Sequence, residues 1–150
     1  MQKKYKCVTE QETTILAEKF ADIAKAGDVF ALKGTLGVGK SVFARAFIKK
    51  KTNEKEVPSP TFTLVQTYST DFCDIYHFDL YRLKHSDEVF ELGFEDAIYG
   101  NISLVEWPEK AGKWLPKDIF NITISSDESG RYFTVDVLSE EKIKRLEKIK

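Results

Sequence analysis

The stretch LKGTLGVGKSVFARAF, residues 32 to 47, constrains this chain more than any other. Gly34, Gly37 and Gly39 fall within six residues, Lys40 and Ser41 follow, and an apolar run comes next. Glycine loses more conformational freedom on ordering than any other residue. Three in one short segment therefore mark a backbone path that side chains would obstruct. Just before it, Val29 to Leu32 (VFAL) is short and wholly apolar, as a strand buried on both faces should be. Just after it, Val42, Phe43, Ala46 and Phe47 share one side of a helix expected over Lys40 to Lys50. Gly34, Gly39, Lys40 and Ser41 fit G-x-x-x-x-G-K-[ST] in the strand–loop–helix context that this pattern requires. Such a loop curls its main-chain N–H groups around phosphate, and the helix N-terminus adds about half a positive charge. Lys40 is then the residue for the β- and γ-phosphates, and the Ser41 hydroxyl a ligand for Mg²⁺.

The rest of the chain reads as α/β. Thr9 with Glu12 predicts a capping box, Leu16, Phe20 and Ile23 an apolar helix face, and Gly27 the stop. TFTLVQTYS and DIYHFDLYRL predict a hairpin across TDFCD, and IFNITIS and RYFTVDVL a second across SDESG. EVFELGFEDAIYG reads as a short helix followed by loop, ISLVEW as a buried strand ended by Pro108, and residues 139–150 as a closing amphipathic helix. Helices mixed with crossover strands and hairpins imply one domain over 1–150. Its expected architecture is a P-loop NTPase-like three-layer fold, with a parallel sheet core flanked by antiparallel hairpins.

Composition narrows the function classes. Lys+Arg number 23 and Asp+Glu 24, a net charge of -1. That balance lacks the basic footprint of a nucleic-acid binder. Cys7 and Cys73 form no metal spacing and read as reduced core thiols of a cytosolic protein. The N-terminus has no apolar signal region, and no run approaches the ~20 apolar residues of a membrane span.

A phosphate loop needs a carboxylate on a neighbouring strand to hold its metal. Glu106, at the C-terminal end of ISLVE, lies at the sheet edge where ligands bind in such folds. Trp107 reads as packing or as the wall of the site. In YHFDLYRL a period of two puts His77, Asp79 and Tyr81 on one face, and Tyr76, Phe78, Leu80 and Arg82 on the other. Asp79 is expected near the metal or the attacking water, where His77 could orient it by a hydrogen bond; the alternative is a buried, satisfied polar pair or a solvent-facing strand, and His77 alone reads more often as structural. Arg82 suits a phosphate, a partner's carboxylate or a surface pair. In VPSPTFTL, Pro58 and Pro60 bracket Ser59, and with Thr61 they read as a segment that senses the γ-phosphate or metal as switch loops do. Arg131 either contacts nucleotide or flanks its hairpin turn. Ile143, Leu146 and Ile149 form a stripe for docking the last helix on its own domain or on a partner.

GTLGVGKS, SPTFTLVQTY, YHFDLYRL and LVEWPEKAGKWLP, in that order and at these spacings, resemble the TsaE (formerly YjeE) family of bacterial P-loop ATPases. That family serves the threonylcarbamoyladenosine modification of tRNA. The resemblance covers roughly residues 7 to 137. It implies ATP and Mg²⁺ as cofactors, with Ser41 and Glu106 as metal ligands. Gly34, Thr35, Leu36, Gly37, Val38, Gly39, Lys40 and Ser41 take the phosphate-loop positions, with Val42 beside them. Lys40, Asp79 and Glu106 are the expected catalytic set, Thr61 falls on a γ-phosphate motif position, and Glu10 and Arg131 are expected to line the adenine side. The implied partners are TsaD-like and TsaB-like subunits, which carry out the chemistry on tRNA. The ATPase resets their complex and meets tRNA only indirectly. Three loop positions depart from the family's common residues: Thr35 for Asp, Val38 for Ala and Ser41 for Thr. Ser41 keeps the hydroxyl, whereas Thr35 removes a negative charge beside the phosphates.

Hydrolysis is expected to be slow in the isolated chain, because no arginine is plainly placed to stabilise transferred charge. A small-molecule kinase is the alternative. It would need an acceptor pocket and usually an arginine-rich lid, whereas Arg45, Arg82, Arg131 and Arg145 are scattered. A nucleotide-gated binding module without hydrolysis is a third reading, disfavoured by Asp79 and Glu106.

Overall fold

The structure is a computed structural model that describes residues 1–35 and 37–150. Its strands are β1 (Gln2–Cys7), β2 (Val29–Lys33), β3 (Val65–Ser69), β4 (Asp74–Asp79), β5 (Ile102–Glu106), β6 (Phe120–Asp127) and β7 (Gly130–Asp136). They form one mixed sheet in the order β1-β7-β6-β2-β5-β4-β3. The four central strands β6, β2, β5 and β4 run parallel, and β3, β7 and β1 add antiparallel at the flanks. This is the expected mixed α/β sheet.

The helices are α1 (Glu10–Ile23), α2 (Lys40–Thr52), α3 (Phe94–Ile98) and α4 (Glu140–Leu146). Residues of α1, α2 and α4 pack on one face over a core built around Phe20, Phe30, Phe43, Phe47, Phe120 and Phe133. The Phe30 and Phe120 rings stack at 4.8 Å. On the other face α3 and two 3₁₀ segments, Ser86–Leu92 and Pro108–Trp114, cover Val29, Ala31, Phe78 and Val105. Burial of each of these Val and Phe side chains contributes about 1.5–3 kcal/mol. Both faces of β2 and β5 are therefore dry, which explains their uninterrupted apolar runs.

Several local expectations change. The lysine-rich start is a strand, β1, whose alternation buries Tyr5 and Cys7 and leaves Lys4 and Lys6 exposed. The Glu12 N–H donates to Thr9 Oγ1 at 3.1 Å, but the Glu12 carboxylate accepts from Val8 N–H rather than from Thr9, so the capping box is half formed. Helix α1 ends at Ile23, and Gly27 serves the turn beyond it at φ 96°. The EVFELGFEDAIYG segment holds two short helices broken at Gly93, whose φ is 81°. Strand β4 stops at Asp79, so Tyr81 and Arg82 lie outside the alternation that had been expected to include them. The last helix is shorter than 139–150, and its stripe docks at home: Leu146 and Ile149 are buried in the chain's own core. Cys7 and Cys73 are both free, Cys7 buried and Cys73 half-buried.

Candidate functional site

The parallel strands deliver their C-terminal ends to one edge of the sheet. Leu32, Glu106 and Asp79 are register partners across β2, β5 and β4. The glycine loop leaves β2 at this edge and enters α2. At Gly39, the N-cap of α2, φ is 117°, a left-handed conformation that L side chains rarely adopt. A Cβ on Gly34 would come within 2.7 Å of Val38 Cγ1 and 2.8 Å of the Ile124 carbonyl oxygen. The glycines are thus required by backbone path at one position and by close packing at the other.

A cleft of about 200 Å³ opens over the loop, lined in part by Gly39, Lys40, Ser41, Asp79, Glu106 and Arg131. Lys40 is 5% exposed, and its Nζ donates to the carbonyls of Gly34, at 2.5 Å, and Thr35, at 2.9 Å. The same Nζ sits 4.1 Å from the centre of the Trp107 ring. Burial pulls the Lys40 pKa down, and the charges of Glu106, Asp79 and Glu109 oppose that shift. Trp107 has a left-handed φ of 58°, and its ring also lies against Tyr81, with ring centres 4.9 Å apart. Trp107 is therefore a wall of the cleft, as expected, and also the floor under the lysine.

The Ser41 hydroxyl donates to Glu106 Oε1 at 3.4 Å. The other oxygen, Oε2, lies 2.6 Å from His77 Nε2. This corrects the sequence reading, which paired His77 with Asp79. Asp79 is held elsewhere: Oδ2 accepts from Thr61 Oγ1 at 3.0 Å, and Oδ1 from the Tyr81 N–H at 3.1 Å. The Ser59 hydroxyl lies 2.7 Å from that of Thr61. A chain of hydroxyls thus runs from the Pro58–Pro60 segment to a carboxylate in the cleft. Period-two logic placed His77 and Asp79 on one face correctly but could not see that the longer Glu106 side chain reaches back along β5.

The remaining expected residues divide. Val42 and Arg131 line the cleft, and Arg131 crowds Gly39, where a Cβ would meet its Nη1 at 3.2 Å. Glu10 is not in that cleft; it lines a neighbouring hollow of about 440 Å³ with Thr9, Asp127 and Ser129, and Gly37 and Arg131 are common to both. Val38 lines a third hollow with Gly34 and Thr35, and Trp107 is common to it and the cleft. Leu36 lies outside the described residues. Arg82 stacks on Phe62, 4.8 Å from the ring centre. Sequence reasoning missed the Lys40–Trp107 contact, for which only the crossing of β5 beside the loop gives a signal.

The donor set suits magnesium and phosphate. Mg²⁺ takes oxygen ligands at about 2.0–2.1 Å, so a hydroxyl and a carboxylate oxygen 3.4 Å apart can share one ion. Lys40 and both carboxylates line the one cleft, and the loop N–H groups at the start of α2 provide a cradle for anionic oxygens.

Comparison with known proteins places the chain in a family and matches its fold. Residues 7–133 match the family model described as threonylcarbamoyl adenosine biosynthesis protein TsaE. The chain is similar to the tRNA threonylcarbamoyladenosine biosynthesis protein TsaE of Rickettsia bellii, with 44% identity over 77% of this chain and 81% of the relative. With the protein of that name from Bacillus subtilis it shares 36% identity over 82% of this chain and 77% of the relative. Among solved structures it resembles Bacillus subtilis YdiB, with a TM-score of 0.80, 28% identity, and coverage of 99% of this chain and 94% of that one.

Proposed function

The chain belongs to the TsaE family of threonylcarbamoyladenosine biosynthesis proteins, and from that premise we propose that it is the Mg²⁺-dependent ATP-binding and hydrolysing subunit of the tRNA-modifying machinery. It works with TsaD-like and TsaB-like subunits, and its ATP turnover resets their complex between rounds of modification. Its contact with tRNA is indirect, through that complex. Its place in threonylcarbamoyladenosine modification of tRNA follows from the family itself. The observation that carries the ATPase reading is the meeting of Ser41 and Glu106, from separate segments, within 3.4 Å at the mouth of the glycine loop.

In this reading Gly34 to Ser41 wrap the phosphates with main-chain N–H groups, with Val42 at the base of the cleft. Lys40 leaves the Gly34 and Thr35 carbonyls and turns to the β- and γ-phosphates. Ser41 and Glu106 hold the magnesium, which when bound neutralises charge that develops on the phosphate oxygens. Asp79 orients the attacking water, and Thr61 and Ser59 link Asp79 to the loop that senses the γ-phosphate. Arg131 lies against the loop on the nucleoside side, with Glu10 in the adjoining hollow. Arg131 is the one arginine lining the cleft among the described residues. Its place beside Gly39 suits ligand binding better than charge stabilisation at the γ-phosphate. Slow turnover by the isolated chain follows, with acceleration when a partner completes the site.

Incubation of the purified chain with labelled ATP tests this. Inorganic phosphate should appear slowly with Mg²⁺ alone and faster on addition of both partner subunits. Transfer of label to a metabolite, or no phosphate release under either condition, overturns the ATPase reading.

No helix among the described residues is long and apolar enough to cross a membrane.

A further inference from the structure

We propose that His77 is a positioning residue for Glu106: it holds one carboxylate oxygen so that the other is presented, together with the Ser41 hydroxyl, to the magnesium ion. The proposal rests on the ATPase reading and deepens it. His77 is fully buried and Glu106 is 2% exposed. The Nε2–Oε2 contact of 2.6 Å has the length of a strong, charge-assisted hydrogen bond.

The second ring nitrogen decides which way that bond runs. His77 Nδ1 is buried and has no hydrogen-bond partner among the described residues. A proton on Nδ1 would be a buried, unsatisfied donor, a costly arrangement. The tautomer this surrounding favours carries its proton on Nε2 and donates it to Glu106. Glu106 stays an acceptor with Oε1 left for the cleft, where Ser41 meets it.

Backbone geometry makes the histidine necessary. Glu106 is the last residue of β5, next to the strained Trp107, and has a flexible side chain. No lysine or arginine salt bridge holds it among the described residues; the nitrogen at its carboxylate is His77 Nε2. Two strands in register, with His77 opposite Leu104 and Asp79 opposite Glu106, put the imidazole one pleat behind the carboxylate on the same face. Asp79, directly abreast, is already held by Thr61 and Tyr81. Metal ligands held by such outer partners typically lose about 10- to 100-fold in metal affinity or activity when the partner is removed.

The test measures binding of a fluorescent ATP analogue with EDTA, Mg²⁺ or Ca²⁺, in parallel with thermal unfolding of the free chain. His77→Ala and His77→Gln are compared with wild type, and His77→Ala is repeated in a Glu106→Ala background. The single variants His77→Ala and His77→Gln should keep the EDTA affinity, since the loop is untouched. His77→Ala should need about 10- to 100-fold more Mg²⁺ for half-saturation. Ca²⁺ tolerates irregular shells whereas Mg²⁺ demands near-octahedral ones, so the Ca²⁺ response should fall less. His77→Gln, whose amide can donate to the same oxygen, should recover part of the loss. In the Glu106→Ala background the histidine change should add nothing. Equal loss of the Mg²⁺ and Ca²⁺ responses, an unchanged Mg²⁺ response in His77→Ala, or full additivity with Glu106→Ala overturns the proposal. Should His77→Ala fail to fold, the Gln variant decides by the same Mg²⁺-to-Ca²⁺ ratio. A wild-type chain that binds the analogue equally with EDTA and Mg²⁺ overturns the ATPase reading itself.

Discussion

Asp79 and Glu106 stand abreast at the ends of two parallel strands, and each carboxylate is tied to a different part of the chain. Asp79 answers to Thr61 in the proline-flanked loop, whereas Glu106 answers to His77 behind it and to Ser41 at the start of α2. Two like charges side by side disfavour each other. Lys40, buried against Trp107, is the cation near them, and their charges offset part of its burial cost. A phosphate entering the cleft would compete for that lysine, so ligand binding and the electrostatics of the site are coupled.

Lys40→Ala should weaken ATP binding by about 10- to 150-fold, the value of one charge-assisted hydrogen bond of about 1.5–3 kcal/mol. Equilibrium titration with a fluorescent analogue in EDTA measures it without involving the metal. An unchanged affinity would remove the lysine from the phosphate site.

Glu106→Ala should abolish Mg²⁺-dependent phosphate release while part of the nucleotide affinity survives, because the loop and Lys40 remain. Steady-state phosphate assays beside binding titrations separate the two effects. Turnover at the wild-type rate would exclude Glu106 from the site.

Thr61→Val keeps the size of the side chain and removes its hydroxyl from the chain linking Ser59 to Asp79. Turnover in the presence of the partner subunits should fall by about tenfold, one hydrogen bond's worth of about 1–1.5 kcal/mol, with EDTA affinity unchanged. Loss of binding and turnover together would instead assign Thr61 to folding of the loop.

Arg145 of α4 forms a buried, two-pronged pair with Asp28, 2.5 and 2.9 Å from its oxygens, and also bonds Glu141. Arg145→Met should destabilise the fold by about 3–5 kcal/mol, because it leaves the Asp28 carboxylate buried without its partner. Pairing it with Asp28→Asn should restore much of the loss. Urea unfolding of the two single variants and the double variant gives the coupling energy.

Burial pushes the Tyr5 hydroxyl up to about 12. Its O–H donates to the Ile149 carbonyl at 3.1 Å and ties β1 to the C-terminal segment. A pKa raised above its unfolded value means the folded state holds the proton longer. The associated stability is complete below about pH 10 and disappears as pH rises towards 12. Between these values wild type should lose up to about 2 kcal/mol relative to Tyr5→Phe, which has no proton to release. Parallel stability profiles of the two proteins through this range would expose a wrong assignment.

What could be read without coordinates was what depends on neighbours in sequence. The glycine spacing, the apolar run of β2 and the face of α2 specify the loop and its two flanks. A two-residue period puts His77 and Asp79 on one side of β4 whatever lies beside them. The same local logic was available for β1, where Tyr5 and Cys7 alternate with lysines, but the charges masked the alternation. Helix ends were less legible: α1 stops four residues before Gly27, since the chain must turn there to enter β2.

The sequence by itself therefore determined the strand–glycine-loop–helix unit, the mixed α/β class and the family, because each rests on residue types at fixed separations. Only the tertiary structure decided which carboxylate His77 serves, where Lys40 rests, that Glu10 lies in a hollow beside the Ser41 cleft, and that α4 locks onto Asp28. Those outcomes depend on strand order and on side-chain reach across strands. Such pairings bring together residues such as Ser41 and Glu106, 65 positions apart, and no local period encodes them.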